Sequence, residues 1–241
     1  MDWEALKVII KHYVLDDRQC RRSILVFIGV LGLTTLVPAL LVVFGKLPAL
    51  FLLVISAGFS FAASFVMPIV VAIVIQREKA EGSFRLLRAL PLPSETLFGG
   101  TVLAGAIASV VSFLPLYTIV MLASIPQGAR LVLPLICTGW IALLMSLLSA
   151  SFVLTVALNV NSPTALSYLM AGFLAVVMFS GMLPSLFEQK LRPLLEDRLK
   201  ELLYFILSLE GIVFVSAITI VVSVLIFYVG SRLFLRKRSY V

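Results

Sequence analysis

The chain has 241 residues, 61% of them hydrophobic and 13% charged, against about 45–50% apolar and about 25% charged in an ordinary soluble domain. A soluble core of this length cannot hide so much apolar surface, so the composition excludes a water-soluble globular protein and predicts an all-α, polytopic membrane protein folded as a single transmembrane domain over 1–241. The formal net charge of +7 does not point to nucleic acid, because the charges fall in the short segments that flank the apolar runs.

In chain order, the first element is amphipathic. Trp3, Leu6, Ile10 and Tyr13 recur at helical spacing, with Lys7, Lys11, Asp16 and Asp17 turned elsewhere. Trp and Tyr favour the headgroup region and lysine stems can snorkel, so residues 1–22 are expected to form an interfacial helix lying flat on the cytoplasmic leaflet, as an anchor or as a partner surface. Asp2, Glu4, Asp16 and Asp17, together with a late and long apolar run, are unlike a cleavable signal peptide.

A bilayer core of about 30 Å needs about 20 apolar residues per helix. Stretches without Asp, Glu, Lys or Arg run over 23–45, 47–76, 96–129, 131–187 and 211–231. The fourth is too long for one crossing and contains Asn159-Val160-Asn161-Ser162-Pro163-Thr164, a cluster of turn formers. Six transmembrane helices are therefore expected, at 24–44, 50–75, 96–122, 131–157, 164–186 and 209–232. A transmembrane β-barrel would show short segments of alternating polarity, which these solid runs of Leu, Val and Ile do not. Pro38, Pro68, Pro115 and Pro134 are expected to kink or interrupt their helices, and Ala62, Ala63, Ser64, Gly99, Gly100 and Gly105 to permit close helix approach.

With an even number of spans both termini share one side. That side carries Lys7, Lys11, Arg18, Arg21, Arg22, Arg77, Lys79, Arg85, Arg88, Arg232, Arg236, Lys237 and Arg238, and the other only Lys46, Arg130, Lys190, Arg192, Arg198 and Lys200. The positive-inside bias then puts both termini in the cytoplasm, and the basicity reflects topology and contact with anionic headgroups. Cys20 and Cys137 fall at different depths and are not expected to pair, and His12, the only histidine, has no metal-ligand spacing around it.

Between the second and third spans, the segment from Gln76 to Glu95 carries the most information. Gly82 and Ser83 can open a short helix with Phe84, Leu87 and Leu90 on one face and Arg85 and Arg88 on another, and Pro91 and Pro93 stop it. An apolar ridge with a basic flank suits either docking of a soluble partner or rest on lipid. Between the fifth and sixth spans, residues 187–203 read as an extracytoplasmic amphipathic helix with Leu191, Leu194, Leu195, Leu199, Leu202 and Leu203 on one face. Glu188 with Arg192 and Glu196 with Lys200 support it at i, i+4 spacing.

An ion-coupled carrier usually holds an ionisable residue within its spans. None lies near the centre of these, and Glu210 at the start of the last is the nearest candidate. Membrane hydrolases need paired carboxylates, a metal cluster or a nucleophile with a base. Ser109, Ser146, Ser149 and Ser151 are expected instead to bond back to their own helices. There is no G-x-x-x-x-G-K-[ST] phosphate loop, so the chain is expected to be a non-enzyme without cofactor.

The 78–91 segment resembles the signature of type-2 ATP-binding cassette (ABC) exporter permeases: an acidic-basic cluster, Gly-Thr or Gly-Ser, a Leu-rich helix, and Pro about nine positions after the Gly. Glu78, Gly82-Ser83, Leu86-Leu87 and Pro91 occupy those positions. The sequence departs from the pattern at Ala80, where many members have a second Glu that is here displaced to Glu81, and at Gly99-Gly100 where many have Gly-Lys. The resemblance implies a bacterial inner-membrane transport subunit in a homo- or heterodimer, with ATP and Mg bound by a separate cytoplasmic ATPase. It implies that the 77–91 segment couples the two, with Glu78, Glu81, Arg85 and Arg88 making polar contacts in the ATPase cleft, Phe84 and Leu87 meeting its apolar floor, and Gly82 and Pro91 bounding the coupling helix. From the residues alone, a membrane scaffold or regulatory subunit, or a carrier working alone, stays open.

Overall fold

The computed structural model describes residues 3–48, 50–84, 93–127, 129–160, 164, 167, 171 and 209–238. Nearly all of the expected fifth span (164–186), the whole of the expected 187–203 helix and residues 85–92 lie outside them. The described residues form α1 (Trp3–Lys11), a π-helical turn (His12–Asp16), α2 (Arg18–Val43), α3 (Leu50–Glu81), α4 (Ser94–Ser124), a 3-10 turn (Ile125–Gln127), α5 (Ala129–Asn159) and α6 (Leu209–Arg238). Five of these helices, α2 to α6, are long and apolar enough to cross a membrane.

Long helices follow from the need to satisfy every backbone polar group inside the segment when no water is at hand. Side-chain hydroxyls obey the same constraint. Ser109 donates to the carbonyl of Gly105, Ser112 to Ala108, Thr101 to Leu97 and Ser223 to Thr219, each one turn back. Pro38, Pro68, Pro115 and Pro134 do not interrupt their helices: each lies inside a helix that continues past it.

The apolar runs mark the spans to within a few residues, but the helices extend further at the charged end. The helix of the first span begins at Arg18 and that of the second runs to Glu81. A hydropathy boundary marks where charge begins, whereas α2 starts at its cap, Asp17, and the end of α3 is held by the partners of Arg77, Glu78 and Lys79.

Among these five helices α3 and α5 are the most buried and α6 the least. The main core gathers Met67, Val71 and Ile75 of α3, Phe98 and Val102 of α4, Val153 and Leu154 of α5 and Phe234 of α6. Gly105 admits close contact between α4 and α5, since a methyl built on it would stand 2.5 Å from Leu154 Cδ1. A hydroxyl seam joins α3 to α5. The Ser64 and Ser146 hydroxyls are 2.9 Å apart, and Ser149 donates to the Ser64 carbonyl.

Contacts between α5 and α6 show that they run in the same direction. Trp140 Nε1 donates to Ser216 near their starts, and Asn159 Nδ2 donates to the Gly230 carbonyl near their ends. The chain therefore leaves α5 at one end of the bundle and enters α6 at the other.

The N-terminal element differs from its expectation in its inward face and in its length. It packs on α4, with Leu6 and Ile9 buried. Gly100 makes room for it, because a methyl there would stand 3.0 Å from Ile9. Its inward face is Leu6, Ile9 and Tyr13, while Trp3 turns outward, 62% exposed, with Lys7 Nζ 5.9 Å from its ring centre. Finally, it is not one helix to residue 22: the chain extends at Asp17 (ψ 121°), whose side chain accepts from the Cys20 N–H and caps α2.

Candidate coupling site at the end of α3

The last turns of α3 carry Gln76, Arg77, Glu78 and Lys79 in succession. At about 100° per residue the four side chains fall into two pairs that reach two different neighbours. Gln76 and Lys79, three apart and on one side, reach the end of α5. Gln76 Nε2 donates to the carbonyls of Ala157 (2.8 Å) and Val160 (3.0 Å), and Lys79 Nζ to those of Ala157 (2.7 Å), Leu158 (2.9 Å) and Val160 (2.9 Å). These are the carbonyls a helix leaves unpaired at its C-terminus, where a cation also meets the favourable end of the helix dipole.

Arg77 and Glu78 reach the N-terminal segment. Arg77 donates to Asp17 Oδ2 (2.5 Å) and to Gln19 Oε1 (3.2 Å), with Glu81 at a longer 3.8 Å. Glu78 meets His12 Nε2 at 2.7 Å and accepts from the Tyr13 hydroxyl at 2.9 Å. Glu78 and Asp17 are both buried, and a buried carboxylate is tolerable only when paired and hydrogen-bonded.

The partners of Glu78 are tuned accordingly. The Glu78 hydrogen bond raises the His12 pKa above its ordinary 6.5; burial opposes it, and the charges of Glu78, Asp17 and Asp16 add to it. Burial, with the Glu78 charge behind it, pushes the Tyr13 hydroxyl well above its ordinary 10.0, so it stays a neutral donor.

Beyond Glu81 the backbone turns at Gly82 with φ +82°, a left-handed conformation that glycine adopts without steric cost. Ser83 donates to the Glu78 carbonyl at 3.2 Å. Phe84 then folds back into the main core, 3% exposed, with Lys79 Nζ 5.7 Å from its ring centre.

Of the residues singled out from sequence, Glu78 and Phe84 are buried against this chain's own elements, Glu81 is exposed and Gly82 is the bend. Arg85, Leu87, Arg88 and Pro91 lie outside the described residues. The partners His12, Tyr13, Asp17, Gln76, Arg77 and Lys79 were not singled out for this site. One signal for them exists: Asp17 directly precedes an arginine-rich helix start, the position of an N-cap. The pairing of residue 12 with residue 78 leaves no mark in local periodicity.

Among the described residues no three His, Cys, Asp or Glu side chains gather as metal ligands would. No family model and no curated protein matches the chain.

Proposed function

We propose that the chain is the transmembrane permease subunit of an ABC exporter, forming the substrate pathway and coupled to a separate cytoplasmic ATPase that binds ATP and Mg. It works as a homo- or heterodimer in the bacterial cytoplasmic membrane, with both termini in the cytoplasm.

The observation that carries this reading is the tie at the end of α3. A membrane-length helix leaves its apolar run without a break, is fastened by Arg77 and Glu78 to the N-terminal segment and by Gln76 and Lys79 to α5, and then bends at Gly82 just before the 85–91 segment. A push on that segment would be delivered to several helices together, since salt bridges and charge-assisted hydrogen bonds resist separation. The parallel course of α5 and α6 supports a sixth span between them, because it leaves an odd number of crossings for residues 161–208.

The test is the double variant Arg85→Glu, Arg88→Glu, assayed in native membranes for association with a cytoplasmic ATP-binding subunit and for efflux. The reading predicts normal membrane insertion with loss of ATPase association and of efflux. Unchanged association and unchanged efflux would remove the docking role.

A further inference from the structure

Arg18, Arg21 and Arg22 stand in the first two turns of α2, all exposed, and none has an acidic partner among the described residues. Local energetics does not explain them. Positive charge at a helix N-terminus opposes the macrodipole, three like charges repel, and the nearby Asp17 carboxylate is engaged by Arg77 and by the Cys20 N–H. At about 100° per residue the three fall within an arc of about 100°, opposite the buried side formed by Cys20 and Ile24.

The same arc continues along the helix as Leu25, Gly29, Gly32 and Leu33. Leu25 and Leu33 are 62% and 71% exposed. Gly29 and Gly32 differ from Gly100 and Gly105, which seat a neighbouring side chain: a methyl built on either would meet nothing within 4 Å. They are not packing positions for any described helix, although glycine in a helix interior is unfavourable relative to alanine. Without side chains between the two exposed leucines, they lower the helix surface there, and an acyl chain could lie along it. From Arg22 to Leu33 the helix rises about 16 Å, about half of a hydrocarbon core of about 30 Å, which is the depth of one leaflet.

We propose that this face of α2 binds an anionic phospholipid, its phosphate against Arg18, Arg21 and Arg22 and an acyl chain along the lowered surface at Gly29 and Gly32. The charge selects the headgroup, and the apolar strip on the same face distinguishes this occupant from a soluble acidic protein, which would have no use for an apolar strip running into the bilayer. The proposal is independent of the transport reading.

The experiment uses the full chain in mild detergent and native mass spectrometry, with phosphatidylglycerol and phosphatidylcholine of identical acyl chains as probes. The wild type is expected to retain phosphatidylglycerol at least about tenfold better, given the attraction of each basic residue for an anionic surface. Arg18→Gln, Arg21→Gln, Arg22→Gln together should abolish the preference, and Arg18→Gln alone, which disturbs folding less, should reduce it. Gly29→Leu with Gly32→Leu should weaken phosphatidylglycerol retention with the arginines intact. Lys7→Gln, whose charge is already paired with Glu4, should leave it unchanged. A preference that survives the triple variant, or falls equally in Lys7→Gln, overturns the proposal. Efficient disulfide cross-linking of two copies through Gly29→Cys or Gly32→Cys in native membranes also overturns it, by making the face a subunit interface.

Discussion

The imidazole of His12 lies 2.7 Å from the carboxylate of Glu78, 66 residues further along the chain, and through this contact the N-terminal segment is held to the end of α3. Tyr13 donates to the other carboxylate oxygen, so Glu78 is the point where two successive side chains of the π-helical turn converge.

Replacing Glu78 with Ala leaves the buried Tyr13 hydroxyl without its acceptor, and such a loss costs about 1–3 kcal/mol. The expected outcome is release of the N-terminal segment without loss of the bundle, read as faster amide exchange over residues 3–16 and unchanged exchange in α5. Glu78→Gln keeps an acceptor and should show a smaller effect.

The same contact predicts a pH dependence. The raised pKa of His12 arises from the Glu78 hydrogen bond first, with the charges of Glu78, Asp17 and Asp16 adding to it against burial. A pKa raised on docking means that the docked state prefers the protonated ring, so this stabilisation is complete below about 6.5 and is lost as pH rises through the raised value. Amide exchange over residues 3–16 should therefore quicken, beyond its intrinsic pH dependence, as pH climbs from about 6.5, and His12→Gln should flatten that profile.

Lys79 holds three carbonyls at the end of α5. Lys79→Met keeps the length of the side chain and removes the charge and donors, at a cost of about 1–3 kcal/mol. It should lower the midpoint of thermal unfolding in detergent and loosen residues 155–160 in exchange. If the transport reading holds, it should also uncouple ATP hydrolysis from efflux.

Gly100 seats Ile9. Gly100→Leu overfills that contact, and overpacking costs about 1–3 kcal/mol. The expected result is displacement of α1 from α4, seen as faster amide exchange over residues 3–11, with α4 still inserted. Gly100→Ala should be far milder, since Ile9 need shift only slightly.

These residues show what a sequence can and cannot reveal here. The apolar runs locate α2 to α6 because hydrocarbon solvation acts on each helix separately, and the back-bonding expected of Ser109 is found because it too is local. The extensions to Arg18 and Glu81 exceed the apolar limits because Asp17 caps one helix and Arg77, Glu78 and Lys79 are paired at the end of the other. The inward face of α1 is not legible for a different reason. Its outer Trp3 and inner Ile9 are both compatible with an interfacial helix, and only the room at Gly100 decides which side faces inward. Likewise the sequence marks Glu78 and Phe84 as residues of a cytoplasmic segment, but their burial against this chain depends on neighbours far away in sequence.

In the proposed permease, the 82–91 segment receives force from a soluble ATPase. Site-specific photo-crosslinking tests this most directly, with a benzophenone side chain placed in turn at positions 83, 85 and 88 of the full chain in native membranes. The account predicts a covalent adduct with a cytoplasmic ATP-binding subunit, strongest at 85 and 88 and dependent on nucleotide. Adducts to lipid alone, or no adduct in membranes that contain the ATPase, would contradict it.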